Sequence, residues 1–250
     1  MSGTAFEVRR FDQIDSTNTY LVSQALQGAP DGLVAVARHQ LAGRGRLGRS
    51  WIEPPGSSLL TSILFRVPLG PERLYLVSVA VSVSALKAIE VLTGTAPRLK
   101  WPNDLLLDGR KVAGVLAELV EMGCGPALES TVVVGIGVNL TWSGPPEAGG
   151  TSLLDSTGHQ VSADALLEGL LAELSGRVEA LRDPARHDEL SRELHEHLGT
   201  LGTLVRIELP GEELIATATG VSAEGHLIVE SEEGVREIVT GDLIHLRAQP

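Results

Sequence analysis

The segment Gly43-Arg44-Gly45-Arg46-Leu47-Gly48-Arg49-Ser50-Trp51 packs three arginines and three glycines into seven positions and ends on an indole. Arg44, Arg46 and Arg49 are planar, permanently charged forks that match phosphate and carboxylate oxygens. Gly43, Gly45 and Gly48 free the backbone to turn and to approach a ligand closely. Trp51 supplies a flat face for a ring. Together they make a loop suited to wrapping a small anion that carries a flat group. A surface loop whose arginines pair with local carboxylates has the same composition, and the segment alone leaves both open.

A second group is Lys100-Trp101-Pro102-Asn103-Asp104: a cation, an indole, an amide and a carboxylate around a residue of fixed φ. Asn103 and Asp104 have the atoms to cap, to turn the chain or to contact metal-bound phosphate. A decorated turn ahead of a hairpin reads the same way. Only three lysines occur, Lys87, Lys100 and Lys111, and two of them fall within residues 100–111. Arginine does not replace a compact ammonium at a tight carboxylate or phosphate contact, so this clustering suggests a chemical role for at least one. In Lys111-Val112-Ala113-Gly114, strand alternation places Lys111 and Ala113 on one face, and Gly114 permits close approach. Gly135-Ile136-Gly137-Val138-Asn139 is an incomplete dinucleotide pattern with no helix opening after it. Asn139 offers an amide able to read a base edge.

These groups need elements to hold them. Residues 6–14 read as a strand, and Asp15-Ser16-Thr17-Asn18 caps a helix that runs to about Gln27. Residues 33–37 read as a buried strand ahead of the arginine loop, and 58–67 as another. Pro71 opens a long helix to about Thr93. Residues 98–101 are extended. Residues 105–107 and 111–120 form a hairpin about Asp108-Gly109, and 131–140 a further strand. Residues 141–160 read as loop, followed by helices over about 162–182 and 185–198. From about Leu201 the chain changes to short strand signals broken at Pro210-Gly211, Glu224-Gly225, Glu233-Gly234 and Gly241-Asp242. That spacing predicts a small antiparallel barrel of roughly five strands. A boundary near residue 200 divides a first domain, 1–200, from a second, 201–250.

Composition limits the functions available. The net charge of -12 argues against a broad nucleic-acid face, though not against a small basic pocket. The single cysteine, Cys124, forms no internal disulfide and no cysteine-based metal site, which fits a reducing cytoplasm. No targeting signal is visible at the start. The apolar stretch 74–92 contains Lys87 and Glu90 and suits a core helix better than a membrane span. His187, His195 and His197 read as solvated, and His39 as a strand-packing residue. No metal site stands out.

Taken in order, Ser16-Thr17-Asn18, Gln40 with residues 43–49, Lys100 to Asp104, Lys111 to Gly114 and Gly135 to Asn139 resemble the biotin protein ligases. The resemblance runs from about Ile14 to Arg247. It implies an α+β fold, with a central mixed β-sheet carrying packed helices (the class II synthetase-like biotin–lipoate ligase core) and a small C-terminal SH3-like β-barrel. It implies activation of biotin by ATP and Mg2+ to biotinyl-5′-AMP, followed by transfer to a lysine of a biotin carboxyl carrier protein. Ser16, Thr17, Asn18 and Gln40 would then frame the ureido end of biotin. Gly43, Arg44, Gly45 and Arg46 would lie along biotin and the mixed anhydride, with Gly114, Leu116, Gly135 and Gly137 as the close wall. Lys111 would meet the carboxylate and α-phosphate. Trp51 and Asn139 would receive adenine, with Arg49 and Arg247 near phosphates and Asn103 and Asp104 organising the metal-bound phosphates or the carrier lysine. Arg46, Lys111 and Asp104 carry the expected chemistry. The metal position is not specified.

The Ser16 motif begins too near Met1 for a winged helix ahead of it, so the expectation is a cytoplasmic ligase that binds neither DNA nor membrane. Monomer and homodimer both remain open. Two other functions fit less well: a lipoate or octanoate ligase on a related core, and a non-catalytic biotin sensor.

Overall fold

The computed structural model describes residues 6–123, 129–209, 211–239 and 241–246. The first part is built on β1 (Glu7–Phe11), β2 (Leu33–Ala37), β3 (Ser58–Val67), β4 (Arg98–Lys100), β5 (Asp104–Leu107), β6 (Arg110–Glu121) and β7 (Ser130–Asn139). These form a sheet of order β1-β2-β3-β7-β6-β5-β4, with β1 parallel to β2 and the other pairs antiparallel. The mixed sheet and its helices match the expected fold class. The apolar runs of β2, β3 and β7 are buried along nearly their whole length, as central strands covered on both faces must be.

One face is covered by α2 (Tyr75–Thr93), on which α4 (Ala163–Arg182) and α5 (His187–His197) pack. α2 is long and apolar enough to cross a membrane, but it is mostly buried and its side chains belong to the main core. The other face receives α1 (Thr17–Leu26), whose Leu21 and Ala25 meet Leu33, Ala35, Leu64 and Val133 in a second, smaller cluster. Asp108 and Gly109 both take positive φ, 49° and 72°, closing the β5–β6 hairpin with the turn that matches strand twist.

The tail is a five-stranded antiparallel sheet of order β11-β10-β9-β8-β12. Its strands are β8 (Leu204–Leu209), β9 (Glu212–Val221), β10 (Leu227–Ser231), β11 (Gly234–Ile238) and β12 (Asp242–His245). Val205, Ile207, Leu227 and Val229 bury into the same core cluster as α2, so this unit rests on the first part through apolar contact.

Three expectations need correction. The first strand stops at Phe11, and Ile14 makes only an isolated bridge to Gln40. The stretch 141–160 contains α3 (Leu153–Thr157), capped by the Ser152 hydroxyl on the Asp155 amide and ended by Gly158 at φ 74°. A helix of that length is too short to carry a period. His187 is not solvated. It is buried, and its Nε2 lies 3.1 Å from the Leu181 carbonyl oxygen, in the joint between α4 and α5. Cys124 lies outside the described residues.

Candidate functional site

Two adjoining hollows open at the end of the large sheet. The first is a narrow slot under the start of α1. Ser16 caps that helix, placing Thr17 and Asn18 over β3 and β7. The Gln40 carboxamide oxygen accepts the Thr17 amide at 2.8 Å and the Thr17 hydroxyl at 3.1 Å. The Thr17 and Ser62 hydroxyls are 2.7 Å apart, and Ser62 donates to Asn18 Oδ1 at 2.6 Å. Asn18 Nδ2 donates to the Leu116 carbonyl at 3.2 Å and to Glu118 Oε2 at 2.8 Å, while Glu118 Oε1 holds Arg44 at 2.7 Å. The slot is therefore walled by a linked chain of polar groups, most of them out of water.

Two glycines make room for that chain and for the indole beside it. A Cβ on Gly135 would sit 2.1 Å from Asn18 Oδ1, and one on Gly137 would sit 2.6 Å from the Trp51 ring. The indole lies flat against this glycine strand. With Trp51 in place the slot retains about 30 Å³, room for a couple of water molecules. A larger occupant is expected to displace the indole. The buried Trp51 Nε1 has no hydrogen-bond partner, so the indole is held by packing and by the Lys111 ammonium over its ring.

Beyond Trp51 lies a cleft of about 660 Å³ between the arginine loop, residues 100–104, the start of β6, residues 143–150 and the rim of β8 and β12. Lys111 Nζ is 2.6 Å from Asp104 Oδ1 and 5.8 Å from the Trp51 ring centroid. Arg46 donates to Asn103 Oδ1 at 3.3 Å, and Asn103 Nδ2 anchors to the Val115 carbonyl at 2.8 Å. Burial lowers the Arg46 guanidinium from its ordinary value; Asp104 opposes that and Arg49 adds to it. Burial likewise lowers Lys100, with Asp104 raising it and Lys111 and Arg49 lowering it. On the β12 side, His245 Nε2 meets the Thr200 hydroxyl at 3.1 Å, and burial followed by Lys100 lowers that imidazole. Cations thus gather around one carboxylate, Asp104, in a partly desolvated cleft.

A slot lined mostly by uncharged hydrogen-bonding groups that opens into a cationic cleft suits two linked ligands, one flat and uncharged, one anionic. Comparison with known proteins agrees. Residues 10–139 match the model of the biotin/lipoate A/B protein ligase family, and residues 200–246 match the biotin protein ligase C-terminal domain. This chain belongs to the biotin/lipoate A/B protein ligase family. A biotin–acetyl-CoA-carboxylase ligase of Mycobacterium tuberculosis is 33% identical, over 94% of this chain and 87% of its own. One from Paracoccus denitrificans is 35% identical, over 90% and 94% respectively. The biotin protein ligase of Aquifex aeolicus, solved with biotin and ATP, superposes with a TM-score of 0.78 at 28% identity, covering 96% of this chain and 99% of that one.

In this ligase the structure gathers the residues singled out from sequence into the two hollows. Ser16, Thr17, Asn18, Gln40, Arg44, Gly114, Leu116, Gly135 and Gly137 line the slot. Gly43 stands behind it, where a Cβ would fall 2.5 Å from the Trp51 carbonyl oxygen. Gly45, Arg46, Arg49, Asn103, Asp104, Lys111 and Asn139 line the cleft, and Trp51 separates the two. Asn139 spends a donor on the Thr151 carbonyl at 3.0 Å. Arg247 lies outside the described residues.

One placement differs from simple alternation. Lys111 does not act with Ala113, which is fully buried. Leu105 pairs with Ala113 and Leu106 with Lys111, so Val112 is an extra residue in β6. This bulge shifts the alternation by one, and Lys111 joins the face of Gly114, whose Cβ would stand 3.0 Å from Nζ. Sequence reasoning also missed Ser62, Glu118, Glu53 and His245. Thr61-Ser62 was the available signal, two hydroxyls in the middle of an otherwise apolar strand.

Proposed function

We propose that the slot takes the ring of biotin, the cleft takes MgATP, and Trp51 marks their junction. The observation that carries this reading is the linked polar wall of Thr17, Asn18, Gln40 and Ser62 opening directly onto Lys111 and Arg46. In the first step a biotin carboxylate oxygen attacks the α-phosphorus of ATP, and pyrophosphate leaves. Two anions must approach, so fixed cations between them lower the barrier. Arg46 and Lys111 take that role, and Arg49 and Lys100 face the departing phosphates. Positioning does the rest, with no covalent enzyme nucleophile.

In the second step a carrier lysine attacks the acyl carbon as a neutral amine and AMP leaves. Asp104 orients that amine and accepts its proton. Arg44, held by Glu118, keeps the loop over the anhydride and excludes water. Asp104, and Glu208 on the rim, are the cleft carboxylates that would help hold magnesium, and the ion would there offset the charge of the nucleotide phosphates.

The dithiolane ring of lipoate and the methyl end of octanoate offer no hydrogen-bond partners to the polar wall. Such acids gain no hydrogen bonds in exchange for the water they displace from the slot, so biotin is expected to be preferred over them. A pure sensor would have no use for the Lys111–Asp104 pair beside the slot. The carrier partner is a biotin carboxyl carrier domain, and the cytoplasm is the expected compartment because one cysteine suits a reducing one. With net charge -12 this chain is expected to give no specific gel shift on a biotin-operon promoter at moderate salt.

The deciding experiment is biotin-dependent exchange of labelled pyrophosphate into ATP, with lipoate and octanoate in parallel. Exchange with biotin alone supports the reading. Exchange with another acid alone, or none from folded protein with magnesium, rejects it.

A further inference from the structure

Glu53 is buried two residues past Trp51, and no step of the reaction uses it. Its Oε1 accepts the Gln40 backbone N–H at 3.0 Å and lies 3.2 Å from His39 Nδ1. Its Oε2 is buried with no hydrogen-bond partner. A carboxyl in this setting is costly. Burial pushes it above the ordinary carboxylate range, against the pull of the Gln40 amide and His39. Simple packing gives no reason to keep such a group.

Its place in the chain gives one. Residues 41–52 form the arginine–glycine loop, entered through His39-Gln40 and left through Trp51 to Glu53. The Glu53 carboxyl therefore bonds one stem of the loop to the other at its base. Main-chain bonds lie on either side of it, Trp51 N–H to the Gly43 carbonyl at 2.9 Å and Gly56 N–H to the Arg38 carbonyl at 2.8 Å. Gln40 is then held at both ends, its backbone by Glu53 and its carboxamide oxygen by Thr17. That leaves the Gln40 Nε2 pointing past Gly43, where a Cβ would lie 3.2 Å away.

We propose that Glu53 is a positioning residue: its carboxyl clasps the two stems of the arginine–glycine loop and fixes Gln40 against the ring of the acid substrate. The identity of that acid rests on the biotin-ligase reading; the clasp does not.

Two variants separate the clasp from bulk packing. Glu53→Met keeps the volume but offers no acceptor to Gln40. Glu53→Gln keeps an acceptor oxygen and leaves its second atom where Oε2 is already unmatched. The first readout needs no substrate: limited trypsin cleavage after Arg44, Arg46 and Arg49. Glu53→Met is expected to be cut about tenfold faster, the size expected for one orphaned buried donor, and Glu53→Gln at the wild-type rate. The second readout is pyrophosphate exchange. In Glu53→Met the KM for biotin is expected to rise about tenfold, with the KM for ATP also rising because Arg46 and Arg49 ride on the same loop, and Glu53→Gln is expected to restore both.

Wild-type cleavage in Glu53→Met, an unchanged KM for biotin in that variant, or a Glu53→Gln protein as impaired as Glu53→Met would each overturn the clasp. If Glu53→Met does not fold, faster cleavage of folded Glu53→Gln overturns it, and wild-type cleavage with wild-type KM for biotin upholds it. Absence of biotin-dependent exchange in the wild type would reject the biotin reading while the trypsin comparison still decides the clasp.

Discussion

At Lys111 the ammonium is paired to Asp104 at 2.6 Å and stands at the mouth of the slot. In the proposed reaction it exchanges that partner for the carboxylate and α-phosphate. Lys111→Ala is therefore expected to fold normally by circular dichroism and lose adenylate formation by about 10²–10³-fold, the worth of one transition-state donor. Near-normal adenylation would remove Lys111 from the mechanism. Glu53 offers a test of stability. Its folded carboxyl titrates above its unfolded value, so the folded chain binds more protons across that window. Stability from this group is then present below the ordinary carboxylate value and is lost as pH rises through the raised one. Glu53→Gln removes that loss. Its melting temperature is expected to exceed wild type at neutral pH, with the gap closing in acid; a gap independent of pH would contradict the assigned shift. Lys111 and the arginines were legible as residue types, because cations that crowd into a short stretch of an acidic chain need a reason. Glu53 was not, because a lone glutamate next to proline reads as surface until its burial is known.

At the scale of elements, the glycine strand β7 and the indole of Trp51 form one device. Gly137 provides the flat floor, and the indole rests on it with an unpaired buried N–H. An unmatched donor makes this resting position easy to leave. Biotin is expected to displace Trp51 and change the intrinsic fluorescence, and Trp51→Phe is expected to abolish that change. Trp101, by contrast, is fixed by its Nε1 bond to the Gly225 carbonyl at 3.1 Å. A biotin titration whose emission change survives in Trp51→Phe would place the movement elsewhere. Most strands and helices were legible from apolar runs, caps and the Asp108-Gly109 turn. The bulge at Val112 was not, since alternation counts residues along one strand, whereas a bulge exists only relative to the strand it pairs with.

At the scale of the whole molecule, the two sheets meet where Gly225, at φ 84°, lies against Tyr75 and accepts the Trp101 indole N–H. A Cβ on Gly225 would fall 2.4 Å from the Tyr75 ring. Gly225→Ala is expected to destabilise by about 1–3 kcal/mol, the range for overpacking. It should also raise the KM for ATP, because Glu208 and His245 of the small sheet line the cleft beside Lys100. Loss of stability with ATP binding untouched would show that the small sheet braces the core without shaping the site.

The sequence by itself determined the kinds of element, the change to short strands after about residue 200, and the residues able to handle an anion beside a flat ring. These follow from local rules: periodicity, turn chemistry, and charge concentrated in a short stretch. Only the tertiary structure decided which groups meet. Asn18 crosses to Ser62 and Glu118, Gln40 is held between Thr17 and Glu53, and His245 reaches the cleft from the far end of the chain. Those meetings depend on strand register, a bulge and the docking of two sheets. Each is set by burial and hydrogen bonding between segments far apart in the chain, and no local pattern encodes them.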